Sequence, residues 1–145
     1  MRFLLDTNVL AELIRPKPNQ GLLSWMTQNE LSSGISTLVL GELVKGAHSL
    51  PPGKRRQDLL CWIEGLEEQF DGRILDVSKN ILFRWGELFG THRRKGNPLP
   101  VIDALMAATA IEHELILVTR NQTDFPKSVK VLSPWKKEFG PQTIE

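Results

Sequence analysis

Apolar residues along the chain switch repeatedly between continuous runs and helical spacing. Phe3, Leu4 and Leu5 form a short apolar run that stops at Asp6, and Val9, Leu10, Leu13 and Ile14 then recur at three and four within Asn8 to Arg15. This predicts a buried strand over 2–5 followed by a helix, ended by Pro16 and Pro18. Leu22, Leu23 and Met26 mark a second short helix across 21–29, and Gly34 to Ser36 a small strand. Ser36 or Thr37 can cap a helix carrying Leu38, Val39, Glu42, Leu43 and Ala47, which Leu50-Pro51-Pro52-Gly53 terminates. A longer helix from Lys54 to about Phe70 presents Leu59, Leu60, Trp62, Ile63, Leu66 and Phe70, and Asp71-Gly72 ends it. Ile74 to Val77 reads as the next strand. Ser78 caps a helix whose Ile81, Leu82, Trp85, Leu88 and Phe89 share a face, followed by a basic, breaker-rich loop from Thr91 to Pro100. Pro100 suits the start of a helix over 101–112, Leu115 to Thr119 is the clearest buried strand, and Val129 to Leu132 closes the series. Strands separated by helices predict an α/β fold, a central parallel sheet of about five short strands with helices on both faces.

A length of 145 residues gives one domain, 1–145, with about 136–145 as a C-terminal tail. With 18 Lys and Arg against 17 Asp and Glu the net charge is +1, so any site for a polyanion must be local. The single cysteine, Cys61, excludes an internal disulfide and a multi-cysteine metal centre, and is expected as a small buried hydrophobe in a reducing cytosol. The first acid, Asp6, comes too early for a secretion signal, and no apolar run approaches the ~18 residues of a membrane span, so a cytoplasmic protein is expected.

Four acids stand where solvated surface acids are not expected. Asp6 follows the first strand, Glu42 lies among Leu38, Val39 and Gly46 on its helix, Asp103 is flanked by Val101, Ile102, Ala104 and Leu105, and Asp124 follows the Leu115 to Thr119 strand. In an open parallel sheet, ligands bind outside the carboxyl ends of strands near the reversal of strand order, and Asp6 and Asp124 fall there. Plainer roles are open to three of them: Asp6 as a helix cap, Asp103 against a helix dipole, Asp124 in a turn with Phe125-Pro126. Glu42 has no capping role. Like charges without an interleaved Lys or Arg are costly unless a cation joins them, and carboxylate oxygens suit the hard ions Mg²⁺ and Mn²⁺.

Leu4-Leu5-Asp6-Thr7-Asn8-Val9-Leu10, Leu40-Gly41-Glu42-Leu43, Ile102-Asp103-Ala104-Leu105-Met106-Ala107-Ala108-Thr109-Ala110, and Thr119-Arg120-Asn121 with Asp124-Phe125 resemble the four signatures of the PIN domain. The likeness runs from Arg2 to about Trp135 and is to VapC-type ribonuclease toxins of prokaryotic toxin–antitoxin pairs, the FitB-like branch included. It implies Mg²⁺ or Mn²⁺ bound by Asp6, Glu42, Asp103 and Asp124, hydrolysis of RNA, a homodimer, and a small antitoxin through which a larger assembly can sit on DNA. In some members the last acid stands where Asn121 is, so Asn121 and Asp124 both remain candidates. Such a site would activate a bound water and offset charge on the scissile phosphate. Thr7, Thr119, Asn8 and Asn121 are candidates for orienting the acids or touching phosphate, or for capping turns. Arg93 and Arg94, in the one tight basic run, and Arg120 are candidate RNA contacts; the plainer alternative is a solvated loop. Trp25, Trp62 and Trp85 fall on helical patterns as core or interface, and part of the surface around Leu22 to Met26 and Leu59 to Phe70 is expected to be covered by an antitoxin helix or a second protomer.

Two other functions compete. A dehalogenase-type phosphatase needs an acid two residues after the first, where this chain has Asn8. A non-catalytic binding module of the same fold would grip nucleic acid or antitoxin without turnover, against which all four acids are present.

Overall fold

A computed structural model describes residues 1–135; the expected tail at 136–145 lies outside the described residues. In chain order the elements are β1 (Phe3–Leu5), α1 (Thr7–Leu13), α2 (Gln20–Asn29), β2 (Ser33–Ser36), α3 (Thr37–His48), α4 (Lys54–Gln69), β3 (Ile74–Leu75), α5 (Lys79–Arg94), α6 (Val101–Glu112), β4 (Ile116–Val118) and β5 (Val131–Leu132), with 3₁₀ turns at Glu30–Ser32 and Gln122–Asp124. The five strands form one sheet in the order β3-β2-β1-β4-β5, and every pairing is parallel. Leu4 registers with Gly34 on one side of β1 and with Leu117 on the other. The chain builds outward from β1 through β2 and β3, then returns to add β4 and β5 on the opposite side. The strand order therefore reverses beside β1, and the crevice between β1 and β4 is the place where such sheets bind ligands. The helices pack as two groups, α1 to α4 with one another and α5 against α6, as right-handed crossovers in opposite directions require.

Hydroxyl and amide caps start the helices. The Ser36 Oγ accepts the Leu38 N–H at 3.1 Å, the Ser78 Oγ accepts the Ile81 N–H at 3.2 Å, and the Asn19 Oδ1 accepts the N–H groups of Gly21 and Leu22. Gly34 is required where it stands, because a Cβ there would lie 2.7 Å from the Arg73 carbonyl oxygen on the segment entering β3. Leu4, Leu5, Ile35, Leu117 and Val118 of the sheet are buried together with Leu10, Leu22, Val39, Leu66, Phe70 and Met106 from the helices. Each such side chain contributes about 1.5–3 kcal/mol by leaving water. In α6, Ala104, Ala107, Ala108 and Ala110 are all buried, so this helix passes close to its neighbours.

Three expectations are corrected here. The basic run is not in a loop: α5 continues to Arg94, and the breakers act only at Gly96, whose φ of 76° is left-handed. His92, Arg93 and Arg94 occupy the last turn, where cations meet the negative end of the helix dipole. Leu82 is 43% exposed and Phe83 69% exposed, so the packed stripe of α5 is narrower than its apolar pattern. Cys61 is exposed on α4 rather than buried, because Ile63 and Leu66 take the inward face of that helix. Among the described residues no helix is long and apolar enough to cross a membrane.

Candidate active site

The carboxyl ends of β1 and β4 are joined by hydrogen bonds. The Asp6 N–H donates to the Val118 carbonyl at 2.9 Å, which carries the ladder one step past β1. Asp6 then caps α1, its Oδ1 accepting the Thr7 N–H at 2.8 Å. Its other oxygen, Oδ2, accepts the Thr119 hydroxyl at 2.9 Å and the Asn8 Nδ2 at 3.5 Å. The Thr119 oxygen in turn accepts from Asn8 Nδ2 and from the Asn121 N–H, each at 3.2 Å, which uses its one donor and both acceptor positions. Thr7 turns the other way: its hydroxyl donates to Glu42 Oε1 at 2.6 Å and so ties α1 to α3. The capping role open to Asp6 is real, yet capping occupies only one of its two oxygens.

Electrostatics gather all four acids. Asp6 is 8% exposed, and burial raises its carboxyl above the usual range against the lowering effect of its Thr119 and Thr7 hydrogen bonds; the charges of Glu42 and Asp124 add to the rise. Asp103, in the first turn of α6, is pushed up from 3.8 to about 6, first by burial and then by Asp6, Asp124 and Glu42. No Lys or Arg figures among the charges acting on Asp6 or Asp103. Among the described residues no three His, Cys, Asp or Glu side chains already converge at ligand distance, so the acids act on one another across a rim rather than touching. An all-oxygen, all-anionic donor set of this kind fits a hard divalent cation, which would relieve the repulsion.

Residues 3–129 match the PIN domain family. The chain belongs to that family. Toxin FitB of Neisseria gonorrhoeae is 32% identical over 138 residues, spanning 91% of this chain and 97% of the relative. VapC ribonuclease Y4jK of Sinorhizobium fredii is 27% identical over 135 residues, 91% and 96% of the two chains. The tRNA(fMet)-specific endonuclease VapC of Shigella flexneri is 29% identical over 127 residues, 88% and 92%. Among solved structures, FitAcB from Neisseria gonorrhoeae superposes with a TM-score of 0.83 at 31% identity, covering 92% of this chain and 98% of that one. FitAB bound to an IR36 DNA fragment also gives 0.83, at 29% identity with 94% and 98% covered.

Within this PIN fold the remaining candidates separate by location. Asp124 is exposed in the 3₁₀ turn after β4, and its charge reaches both Asp6 and Asp103, whereas Asn121 contributes its backbone N–H to Thr119. Arg120 is exposed; its backbone N–H donates to Asn8 Oδ1 at 3.2 Å, and its guanidinium acts on Glu12 of α1. Trp25 packs edge-on against Phe3 with ring centroids 4.8 Å apart, and Trp85 lies at 5.4 Å from Phe89. Trp62 instead lines a cavity of about 700 Å³ with Ile14, Leu43, Leu50 and Leu59, and this cavity opens on Thr7 and Glu42. Glu12, 6% exposed, is the residue the sequence pattern missed. Its Arg15 three residues on looks like an ordinary surface pair; the available signal was that Glu12 lies three residues after the core residue Val9 and so shares its face.

Proposed function

We propose that the chain is the toxin of a toxin–antitoxin pair and acts as an endoribonuclease that uses Mg²⁺ or Mn²⁺. The observation that carries this reading is the placing of four acids about the sheet's switch point, close enough that Asp6, Asp124 and Glu42 all raise the Asp103 carboxyl. Asp6, Glu42, Asp103 and Asp124 would hold the metal. When bound, such an ion lowers the pKa of a coordinated water, neutralises charge on the scissile phosphate and steadies the departing 3′ oxygen. The chain's own contribution is orientation. Thr119 and the Thr7 N–H fix the two oxygens of Asp6, the Thr7 hydroxyl fixes Glu42, and Asn8 bridges Asp6, Thr119 and the Arg120 backbone. Carboxylates held in this way bind a cation without losing further side-chain freedom. Arg93 and Arg94 at the end of α5 would contact the RNA backbone, which their exposure permits.

The partner in this reading is a small antitoxin whose amphipathic helix seats in the cavity bordered by Trp62, Leu59, Leu43 and Ile14. The same reading includes a homodimer and assembly on DNA through the antitoxin, and the fold is similar to FitAB in its complex with a DNA fragment. The cytoplasm, where RNA is available, is the proposed compartment, and the whole of 1–145 is taken as one domain.

Cleavage of total RNA by the purified protein tests the reading, with Mg²⁺, Mn²⁺ or chelator present. Asp6→Asn and Asp103→Asn should lose cleavage with circular dichroism unchanged. Expression without antitoxin should arrest bacterial growth, and either substitution should relieve the arrest. Cleavage retained by either variant would overturn the metal-site assignment, and growth without inhibition would favour a non-catalytic binding module.

A further inference from the structure

Helix α5 carries more apolar surface than its own protomer covers. Of Ile81, Leu82, Phe83, Trp85, Leu88 and Phe89 only Ile81 is buried, while Leu82 is 43% and Phe83 69% exposed. Beside Phe83 lies a cavity of about 670 Å³, bordered also by Leu82, Gly86 and Glu112 of α6. Lys79, Phe83, Gly86, Glu87 and Gly90 recur at three and four and so share one outward stripe of the helix. A Cβ at Gly86 or Gly90 would meet nothing within 4 Å, which leaves the space next to the Phe83 ring open. A projecting ring and the depression that could receive one thus lie on the same face. A two-fold interface requires this, because one patch there meets its own copy.

The charges on this face point the same way. Lys79 and Arg84 balance Glu87 and Glu112, so the patch is neutral and offers a polyanion nothing, unlike the basic end of α5 at Arg93 and Arg94. Arg84 and Glu112 are paired with each other at 3.0 Å. Neither Lys79 nor Glu87 takes part in an ion pair among the described residues. They stand eight positions apart in the chain. That is about 12 Å along the axis, too far to pair within one helix. Two copies of α5 running parallel would set Lys79 against Lys79 and Glu87 against Glu87. With the copies antiparallel and Phe83 over the partner's Gly86, Lys79 stands opposite the partner's Gly90, one turn from the partner's Glu87 and within a lysine's reach. The order of the charges therefore selects antiparallel pairing.

We propose that the outward face of α5 is the interface between two copies of this chain, packed as an antiparallel helix pair in which Phe83 seats over the partner's Gly86 and Lys79 pairs with the partner's Glu87. This rests on the homodimer in the reading above and names its surface, leaving the Trp62 cavity to the antitoxin.

Sedimentation equilibrium of the full chain over a concentration series tests it, with circular dichroism as the check on folding. Wild type should be a dimer. Phe83→Glu changes an exposed position, so it should stay folded and raise the dimer dissociation constant about thirtyfold or more, as loss of a central interface aromatic does. Lys79→Glu and Glu87→Lys should each raise it about tenfold at low salt, since each turns both symmetry-related attractions into repulsions, and added salt should shrink the difference. Mixing these two single variants, or joining both substitutions in one chain, should restore association, because acid and base then face each other again across the two copies. A wild type that is monomeric at every concentration would overturn the homodimer and this interface with it, while the nuclease reading would still stand or fall by cleavage. A dimeric wild type with an equally dimeric Phe83→Glu would overturn the α5 face alone. Single charge variants that dissociate and are not rescued by mixing would overturn the antiparallel pairing. A Phe83→Glu that remains dimeric but no longer co-elutes with the antitoxin would give the face to the antitoxin instead.

Discussion

Replacing Asp103 by Asn should stabilise the metal-free protein at neutral pH. Its carboxyl is pushed up from 3.8 to about 6 by burial and by Asp6, Asp124 and Glu42. A raised value means that the folded state binds this proton more tightly than the unfolded chain does. Stability therefore falls as pH rises through the interval from 3.8 to about 6, and the whole cost is present above it. At about 1.4 kcal/mol per unit the shift corresponds to roughly 3 kcal/mol, and partial exposure with counterion screening brings this to about 1–2 kcal/mol. One effect opposes: Asp103 lies in the first turn of α6, where the helix dipole favours an anion by about 0.3–1 kcal/mol. Burial and repulsion win by about 1 kcal/mol, which for a chain of this size is about 2–4 °C. Thermal melts in chelator across the acid to neutral range give the readout. Asp103→Asn should melt with wild type at the acid end and above it near neutrality. Added Mn²⁺ should reverse the order, since a ligand at a hundredfold excess over its dissociation constant stabilises the native state by about 2.7 kcal/mol. If Asp103→Asn melts below wild type in neutral chelator and responds equally to metal, Asp103 is a helix-terminus acid and the rim has three members.

Thr7→Val removes the 2.6 Å bond that aims Glu42 and should lower metal-dependent cleavage by about 10–100-fold with circular dichroism unchanged; unaltered cleavage would separate Glu42 from Thr7. Trp62→Glu places a charge in the cavity proposed for the antitoxin and should weaken co-elution with the cognate antitoxin, so that toxicity escapes neutralisation while RNA cleavage persists. Arg93→Ala with Arg94→Ala should raise KM for RNA and flatten the salt dependence of binding by about 1.4 in the log–log slope, two phosphate contacts at ~0.7 each; an unchanged slope would return both residues to solvent.

The sequence carried the order and type of the elements because burial here follows simple periods. The runs at Phe3 to Leu5 and Leu115 to Thr119 are continuous because the central strands β1 and β4 are covered on both faces. The outer strands β3 and β5 shrink to two residues each, shorter than the expected strands 74–77 and 129–132, because an edge strand has a partner on one side only. The extent of α5 was not legible. Thr91 to Arg94 has no breaker of its own, and the punctuation at Gly96 and Pro98 does not show how far before it the helix stops. Asp6, Glu42 and Asp103 were visible because each interrupts or ends an apolar pattern, and Asp124 because it follows the apolar run of β4. Glu12 was not, since a Glu with Arg three residues later is the commonest surface pattern on a helix, and only the fold turns that face inward.

The position of the site follows from the sheet order more than from any one motif. Placing β1 between β2 and β4 puts the end of the first strand at the one point where chain segments from both halves of the sequence arrive together. Asp6 then meets Thr119, 113 positions away, and Thr7 meets Glu42, 35 positions away, through bonds of 2.9 and 2.6 Å. Such contacts close long loops, and the entropy of closing them is offset by the core strands that would pair in any case. The acids add repulsion at that same point. The fold tolerates it because the residues leading into the rim, Leu4, Leu5, Leu117 and Val118, are wholly buried and leave the rim no freedom to relax apart. A site held under repulsion by a packed core is predisposed to a cation, since binding relieves the strain without reorganising the backbone. Loosening β1 or β4 should therefore weaken metal binding before it unfolds the protein. Leu117→Ala, which empties a fully buried position and costs about 2–5 kcal/mol, should show a weaker Mn²⁺ response in melting at temperatures where its circular dichroism is still native. An unweakened response would mean that the rim is held by its local hydrogen bonds alone.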